Sequence, residues 1–387
     1  MSRARFLDFA EARTRARAFL PRALFDYIDR GTEGETALAA LRQGFDARRV
    51  VPRVLRPVIA PDISTRIMGR QHRTPFIVAP TALAGLVRHD GEAGMARAAH
   101  RAGVPFCVAT QSSTSVEAIA ARAAGAELWF QLYVWRDRAE TWRLLDRVTA
   151  QGIEVLVLSV DTPASPKKVH NRRNGFGIPL RPSPRLALDL ATHPRWTLGV
   201  MGRYWRGGGL PSYANYPGAA AAPVTAALAD PRFALDTALD PDLLAELRRR
   251  WPGKLVLKGV LAPDDAALAF EAGCDAVVVS AHGGRNHDSA ARPLDMLPLI
   301  RQAAGAQATI LADSGIRRGS DAAKLLAAGA DGVLLGRAPL YGLASNGEDG
   351  ATAMIDILAE ELRAFLCFSG AQDLAELARL DWHRTPS

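Results

Sequence analysis

The chain has 387 residues, of which 48% are hydrophobic and 23% are charged, so it can bury the core of one big α/β domain or two ordinary ones. Its formal net charge of +8 suits an anionic substrate, cofactor or membrane surface, whereas basic residues spread along the whole chain argue against a nucleic-acid partner. Three cysteines without C-x-x-C spacing, no apolar signal region and no long apolar run predict a cytoplasmic protein that is soluble or peripheral on a membrane.

The first part of the chain is predicted to form a helical cap. Residues 5–44 have helical character, and one of the predicted helices carries Tyr27 and ends near Gly31. A turn-rich stretch follows as far as Arg73. We therefore assign residues 1–73 to an N-terminal cap rather than to the core.

After the cap the sequence repeats one rhythm: a short apolar run, a polar turn, an Ala-rich amphipathic segment and a Gly-containing turn. Eight such units favour a closed parallel (β/α)8 barrel over an open sheet, because an open sheet this wide is less common and would leave exposed edges. The eight predicted strands are residues 76–80, 105–109, 128–132, 155–160, 255–259, 276–280, 309–313 and 332–336.

The connection between the fourth and fifth strands breaks the rhythm. It is rich in Pro, Gly and Arg and contains Trp196, Tyr204 and Trp205. We predict an excursion over the barrel mouth that serves as a substrate lid, lies on an anionic bilayer, or packs on its own barrel or on a neighbouring subunit. The predicted organisation is a single domain over residues 1–387, with strands one to four in 74–161, the excursion in 162–250, and the last four strands and C-terminal helices in 251–387.

Polar residues cluster where the predicted strands end, which is the side of such barrels that carries the active site. They are Thr81, Thr110, Gln131 with Tyr133, Ser159 with Asp161, Lys258, His282 with Arg285, Asp313, and Gly336 with Arg337.

The turn HGGRNHD after the sixth strand is the richest in reactive side chains. His282 can move a proton near neutral pH, and Arg285 can hold a carboxylate through two parallel N–H bonds. Taken alone, a turn with a solvated His and Arg is an equally good interpretation. His287 lies five residues after His282 and no further ligand pattern supports a metal, so we predict none.

The loops after the seventh and eighth strands, ADSGIRRGSD and LLGRAPLYG, predict a phosphate site. Gly315 and Gly336 allow backbone N–H groups to approach a ligand, and Arg317 and Arg337 supply positive charge. Asp313 can accept hydrogen bonds from ligand hydroxyls.

Lys258, at the end of the fifth strand, narrows the choice of ligand, because an inward lysine needs an anionic partner to offset its desolvation. A flavin, which becomes anionic at its pyrimidine end on reduction, is one such partner; Schiff-base chemistry and a structural ion pair are the alternatives. Gln131 and Ser159 could bond the edge of a planar heterocycle, which favours the flavin.

These motifs together resemble the FMN-dependent L-2-hydroxy-acid oxidases and dehydrogenases, the family of glycolate oxidase, L-lactate dehydrogenase and mandelate dehydrogenase. The resemblance runs from about Phe6 to about Leu377 and includes, in the order of the family, FDYIDRG, APTA, FQLYV, SVDTP, LVLKGV, SAHGGRNHD, DSGIRRGSD and LLGR. HPRWTLGVM, PSYANYP and LLGRAPLYGLA look closest to bacterial (S)-mandelate dehydrogenases, in which the excursion after strand four is similar to a membrane-binding segment.

The resemblance implies roles for the substrate side of the site. His282 would take a proton from the substrate, and Asp161 would stabilise the resulting imidazolium. Arg285 would bind the substrate carboxylate, while Tyr27 and Tyr133 would bond the carboxylate and the hydroxyl.

For the cofactor, the resemblance implies FMN. Lys258 would lie beside the flavin N1 and O2. The other expected flavin-binding residues are Gln131, Ser159 and Ser280 at the ring edge, Pro80, Thr81, Ala82 and Thr110 near the ring, and Asp313, Gly315, Arg317, Gly336 and Arg337 at the ribityl phosphate.

Three positions depart from the pattern of the family. Lys168, expected to bind substrate, replaces an arginine; it keeps the charge but loses the two-pronged fork, which could shift the task to Arg172 or Arg173. Ala281 replaces an asparagine before the histidine, and Ala109 falls where many members have a serine. These changes leave the preferred substrate open.

We therefore predict an FMN enzyme that oxidises a mandelate-like or lactate-like (S)-2-hydroxy acid and passes electrons to quinone or oxygen. The basic aromatic excursion favours quinone, and Ala82, where mandelate dehydrogenases tend to have glycine, favours oxygen. A flavin-binding module without turnover and a phosphate-binding barrel of other chemistry are the alternatives. Peripheral contact of residues 162–220 with the inner face of the cell membrane and, by resemblance, a homotetramer are also expected.

Overall fold

A computed structural model of the chain describes residues 6–177, 179–180, 183–221, 223–226 and 230–384. Eight parallel strands close into a barrel in chain order, and the last pairs with the first. They are β1 (Phe76–Val78), β2 (Phe106–Ala109), β3 (Leu128–Leu132), β4 (Val155–Ser159), β5 (Lys254–Val260), β6 (Ala276–Val279), β7 (Thr309–Ala312) and β8 (Gly332–Leu335). All eight predicted strands and the (β/α)8 fold are confirmed.

The strands are apolar because each is covered on both faces. Inward residues such as Ile77, Trp129 and Val278 meet inside the barrel, and the alternate residues, such as Phe130 and Val277, pack against the surrounding helices. Every residue of β6 is buried, so polar residues that take part in chemistry are expected in the loops that follow the strands.

The helices form the outer layer and the appended segments. They are α1 (Phe9–Phe19), α2 (Arg22–Asp29), α3 (Thr36–Asp46), α4 (Ala84–Val87), α5 (Gly91–Ala102), α6 (Val116–Arg122), α7 (Arg138–Thr149), α8 (Val169–Asn174), α9 (Pro184–Thr192), α10 (Pro194–Trp196), α11 (Gly202–Arg206), α12 (Pro241–Arg250), α13 (Pro263–Glu271), α14 (Pro293–Ala304), α15 (Gly319–Ala327), α16 (Arg337–Ser369) and α17 (Leu374–Leu377). A π-helical turn, Thr197–Met201, joins α10 to α11, and short 3-10 turns lie at Gly218–Ala220, Pro231–Phe233 and His282–Gly284.

Two small antiparallel pairs lie outside the barrel: Arg48–Val50 with Trp382–Arg384, and Thr65–Ile67 with Arg70–His72. Within the described part of the chain, no helix combines the length and apolar character that crossing a membrane requires.

The helical region predicted for residues 5–44 is divided into α1, α2 and α3. The first of these helices packs along α16, where the rings of Phe9 and Tyr341 are 5.4 Å apart. The second ends over the barrel mouth, because Arg285 and Arg337 donate hydrogen bonds to its last backbone carbonyls. The cap therefore forms part of the wall of the mouth.

The excursion leaves β4, contains α8 to α11, and returns to the barrel before α12. Its final part lies beside the end of β3, where the Arg136 N–H donates to the Ala234 carbonyl at 2.9 Å and the Asp236 N–H donates to the Val134 carbonyl at 2.8 Å. This part packs on its own barrel, one of the three arrangements predicted for the excursion.

Positions 178, 181–182, 222 and 227–229 of the predicted excursion, residues 1–5 of the predicted cap and residues 385–387 lie outside the described residues. The proposed division into cap, barrel halves and excursion stays a prediction.

Candidate active site

A cavity of about 550 Å³ lies at the C-terminal ends of the strands. It brings together most of the residues that the sequence predicts for the site. Those lining it are Tyr27, Pro80, Thr81, Ala82, Gln131, Tyr133, Ser159, Lys168, Lys258, His282, Arg285, Asp313, Gly315, Arg317, Gly336 and Arg337.

Three predicted residues lie behind this lining. Asp161 supports His282, and the Ser280 hydroxyl bonds both Lys258 and the His282 backbone. Thr110 is fully buried, and its hydroxyl donates to the Gln131 carbonyl at 2.7 Å and accepts from the Tyr133 N–H at 3.0 Å. These three side chains position residues of the cavity wall.

His282 and Asp161 form a hydrogen-bonded pair at the cavity. The Nδ1 atom of His282 is 3.0 Å from both carboxylate oxygens of Asp161. Burial raises the pKa of Asp161, but the charge and hydrogen bond of His282 outweigh burial and leave that pKa below its usual value. Since an ionised carboxylate can only accept, Nδ1 carries a proton and Nε2 is left as the basic nitrogen.

The backbone of the HGG turn is unusual. His282, Gly283 and Gly284 all have positive φ, at 50°, 64° and 71°. A Cβ on Gly284 would lie 2.8 Å from the backbone nitrogen of Leu38, so only glycine lets the cap approach this closely.

The turn is held by two hydroxyls, although Ala281 lacks the asparagine side chain of the family. The Ser314 Oγ accepts from the N–H groups of Ala281 and Gly283, and the Ser280 Oγ accepts from the N–H of His282. These bonds stabilise the left-handed conformation that presents the imidazole to the cavity.

The cationic groups of Arg285 and Lys168 both lie near the ring of Tyr27. The Arg285 guanidinium carbon is 5.1 Å from the ring centroid, and the Lys168 ammonium nitrogen is 5.0 Å from it. Arg285 also donates through Nη1 to the Tyr27 carbonyl at 2.7 Å. Tyr133 lies nearby, with its hydroxyl 3.5 Å from the Thr162 hydroxyl. This arrangement suits a carboxylate.

At the centre of the cavity, Lys258 has a partner within the protein. Its Nζ atom is 2.9 Å from Asp313 and donates to the Ser280 hydroxyl at 3.0 Å. Burial lowers the pKa of Lys258, but attraction to Asp313 and Asp161 outweighs burial and raises it above the usual value. The ammonium therefore stays charged throughout the physiological pH range. The pair of Lys258 and Asp313 is the structural ion pair that the sequence left open as one alternative.

The two predicted phosphate arginines differ in their bonding. Arg337 donates to the carbonyls of Ile28, Arg30 and Gly283, and burial followed by repulsion from Arg285 lowers its pKa to about 10. Arg317 forms no ion pair with any described residue. Burial, followed by repulsion from Arg42, lowers its pKa. Arg317 is thus a cation without an anionic partner in the part of the chain that the structure describes.

Several cavity residues were not predicted from the sequence. From the cap come Phe9, Arg13, Asp29, Leu38 and Arg42; from the excursion and the end of β3 come Arg136, Ala234, Leu235 and Thr237. The Gly-Arg pairs of the phosphate loops are a local signal, but no comparable motif marks these positions. Their approach to the site depends on long-range packing.

Comparison with known proteins places the chain among flavoenzymes. The family model "FMN-dependent dehydrogenase" matches residues 16–384. An L-lactate dehydrogenase of Caulobacter vibrioides is 39% identical over 376 residues, 96% of this chain and 95% of that protein. An L-lactate dehydrogenase of Pseudomonas syringae pv. syringae is 37% identical over 372 residues, 95% of this chain and 96% of that protein.

Solved structures show the same likeness in three dimensions. The monotopic membrane protein (S)-mandelate dehydrogenase matches with a TM-score of 0.90 and 34% identity, over 97% of this chain and 99% of that one. Mandelate oxidase in complex with (S)-2-phenylpropionate matches with a TM-score of 0.82 and 32% identity, over 99% of this chain and 100% of that one.

Proposed function

This chain belongs to the FMN-dependent dehydrogenase family, and on that premise we propose that it oxidises an (S)-2-hydroxy acid to the corresponding 2-oxo acid. The observation that carries the proposal is the His282–Asp161 pair at a cavity that also contains Arg285 and Lys168. Removal of the weakly acidic α-proton of a hydroxy acid needs a base, a cation on the carboxylate and an electron acceptor close together. A module that only binds flavin would have no use for such a base.

The cavity residues fit FMN, the cofactor of the family. The side-chain nitrogen of Gln131 is buried without a hydrogen-bond partner among the described residues, so it offers a free donor for a heterocycle. The charged Lys258 lines the same cavity, and Arg317 is a cation there without an ion-pair partner among the described residues. Such a set suits a planar, hydrogen-bonding ring at one end and a phosphate at the other.

We assign the cofactor contacts as follows. Gln131, Ser159, Lys258 and Ser280 serve the pyrimidine edge of the ring, and Pro80, Thr81 and Ala82 serve the ring through backbone. Gly315, Arg317, Gly336 and Arg337 serve the ribityl phosphate, Asp313 accepts from the ribityl hydroxyls, and Thr110 acts through Gln131 and Tyr133. When bound, FMN accepts the two electrons that leave the substrate.

The chain's own residues supply the acid–base chemistry. Arg285 and Lys168 hold the substrate carboxylate, and Tyr27 and Tyr133 bond its carboxylate and hydroxyl oxygens. The Nε2 atom of His282 accepts the proton, because Nδ1 is already bound to Asp161. The negative charge of Asp161 stabilises the imidazolium that forms.

For the electron acceptor we propose a quinone in a membrane that the excursion touches. Leu188, Leu198 and Trp205 are exposed there, the last to 80%. Arg195, Arg203 and Arg206 lie in the same segment and suit anionic lipid headgroups. The likeness to a monotopic membrane protein supports this contact. The homotetramer expected by resemblance stays a prediction.

The test of the function is an anaerobic titration of the purified holoprotein with (S)-mandelate, (S)-lactate and glycolate, following the visible flavin absorption. Bleaching by one of these acids is expected. Rapid recovery on admission of air would indicate oxygen as the acceptor, and slow recovery that is accelerated by a quinone would support the membrane acceptor. A flavin band that none of the acids bleaches would contradict the proposed function.

A further inference from the structure

Lys168 lines the cavity at a position where the family resemblance implies an arginine. It is the N-cap of α8, and its half-buried side chain places the ammonium 5.0 Å from the centroid of the Tyr27 ring. Arg285 lies 5.1 Å from the same centroid and is held there by three backbone carbonyls of the cap. Two like charges therefore face one aromatic ring.

No carboxylate among the described residues pairs with Lys168. The acidic groups on the elements around it are engaged elsewhere. Asp161 binds His282; Glu35 binds Arg30 at 3.0 Å and lies 3.5 Å from His170; and Asp288 accepts from the backbone N–H groups of Gly34 and Ala37. Asp26 of α2, which packs against α8, accepts a hydrogen bond from the Asn174 side chain. The phenols of Tyr27 and Tyr133 lie nearby, and Lys167, His170, Arg172 and Arg173 are further basic groups on or beside α8. The site thus has an excess of positive charge.

The excess positive charge favours loss of a proton from Lys168 and not from Arg285, because a guanidinium keeps its proton under all ordinary conditions. Burial, and after it repulsion from Arg285, lowers the pKa of Lys168 to about 7. In the absence of a bound acid, a large share of the Lys168 side chains is therefore neutral at and above neutral pH.

We propose that binding of the substrate is coupled to uptake of one proton by Lys168, with the substrate carboxylate supplying the missing anion. A neutral amine, a proton and a carboxylate become an ammonium–carboxylate pair, so charge is conserved and no covalent bond changes. The inference rests on the proposed function, since it requires an acid substrate. An arginine at this position would bind the same carboxylate without exchanging a proton.

The sign of the pH dependence follows from the protonation of the free protein. Below about pH 7 Lys168 is already charged, and affinity for the acid does not vary with pH. Above that pH only the protonated fraction is ready to bind, so the dissociation constant rises by about tenfold per pH unit until the bound lysine itself begins to lose its proton.

The experiment measures binding of the 2-oxo acid products, 2-oxo-2-phenylacetate and pyruvate, to the oxidised holoprotein between pH 6.5 and 9. The perturbation of the flavin absorption band reports the dissociation constant without turnover. Lys168→Arg is the matched control, because it keeps the charge at every pH. Lys168→Met removes the charge, and retained FMN absorbance and circular dichroism check the folding of both variants.

We expect the dissociation constant of the wild type to rise at least tenfold between pH 7.5 and pH 9, while that of Lys168→Arg stays constant within about twofold. Calorimetry at pH 8.5 in two buffers of different protonation enthalpy should show uptake of about one proton per acid bound by the wild type. The same titration of Lys168→Arg should show none.

Parallel pH profiles of the wild type and Lys168→Arg, with no proton uptake, would overturn the inference and leave the proposed function standing. If neither acid perturbs the flavin of either protein at any pH, the proposed function fails and the inference fails with it. A steep profile in Lys168→Met as well would assign the proton to another group and would also overturn the inference.

Discussion

His282 depends on its neighbours both for its conformation and for its chemistry. Its φ of 50° is unfavourable for a residue with a side chain, and the hydroxyls of Ser280 and Ser314 hold the turn in place. Asp161 lies 3.0 Å from Nδ1, so Nε2 is the nitrogen left for the proposed proton transfer. At the scale of single residues, the geometry of the proposed base is imposed by residues from three different loops.

Replacement of Asp161 by Asn should therefore lower the rate of flavin reduction by about 10²–10⁴-fold, because an amide neither fixes the tautomer nor stabilises the imidazolium. The apparent affinity for the acid should change much less. Rapid mixing of the holoprotein with substrate under anaerobic conditions measures both quantities. Thr162→Ala serves as the control, since Thr162 lies beside Asp161 but leaves the carboxylate in place. An equal loss in the two variants would contradict the role of Asp161.

At the scale of elements, the excursion has one face on the barrel and one in solvent. Trp196 donates from its indole nitrogen to the Leu86 carbonyl at 2.7 Å, and Asn215 bonds the Ala109 carbonyl and the Val116 N–H. Leu198 and Trp205 belong to the same helical stretch but are 66% and 80% exposed. These hydrogen bonds hold the segment on the barrel while Leu198 and Trp205 remain exposed to solvent.

The exposed face should govern membrane affinity. Trp205→Ser should reduce binding to vesicles that contain phosphatidylglycerol by about 10- to 150-fold, since burial of one large apolar side chain contributes about 1.5–3 kcal/mol. Phe368→Ser is the matched control, because Phe368 is 81% exposed but lies at the end of α16. Co-sedimentation at low and moderate salt measures the effect. Equal losses in the two variants, or none in Trp205→Ser, would argue against a membrane role for this face.

At the scale of the whole molecule, ion pairs fasten the cap to the barrel around the cavity. Arg42 of α3 binds the nearly inaccessible Asp321 of α15 through two bonds of 2.8 Å. Asp321 also accepts from the N–H groups of Arg317 and Arg318 in the predicted phosphate loop. One carboxylate thus connects the cap, a barrel helix and the predicted phosphate loop.

Asp321→Asn should lower the free energy of unfolding by about 3–5 kcal/mol, because it leaves the half-buried Arg42 without its main counter-charge. FMN affinity should fall in the same variant through the disturbed loop. Asp46→Asn is a control on the same arginine, since Asp46 is 60% exposed and its pair should contribute only about 0–1 kcal/mol. Denaturant unfolding and flavin release measure the two effects, and similar losses in both variants would disprove the assigned role of Asp321.

The barrel and many residues of the candidate site were predictable because their signals are local. Each strand is a short apolar run that is buried on both faces, and each loop that contributes to the cavity directly follows such a run. The position of Gln131, Lys258 or His282 at a strand end was therefore enough to place it in the cavity.

The amino-acid sequence by itself determined the eight-stranded barrel, the end of it at which the cavity lies and the presence of His282 at that end, since these depend on periodicity and on distance from a strand end. Tertiary structure alone decided that Arg337 bonds three backbone carbonyls, that Asp313 pairs with Lys258, and that Arg13, Arg42 and Leu235 reach the cavity. Such contacts join segments far apart in the chain, and their partners are selected by packing and by the need to satisfy buried polar groups, which no local pattern records.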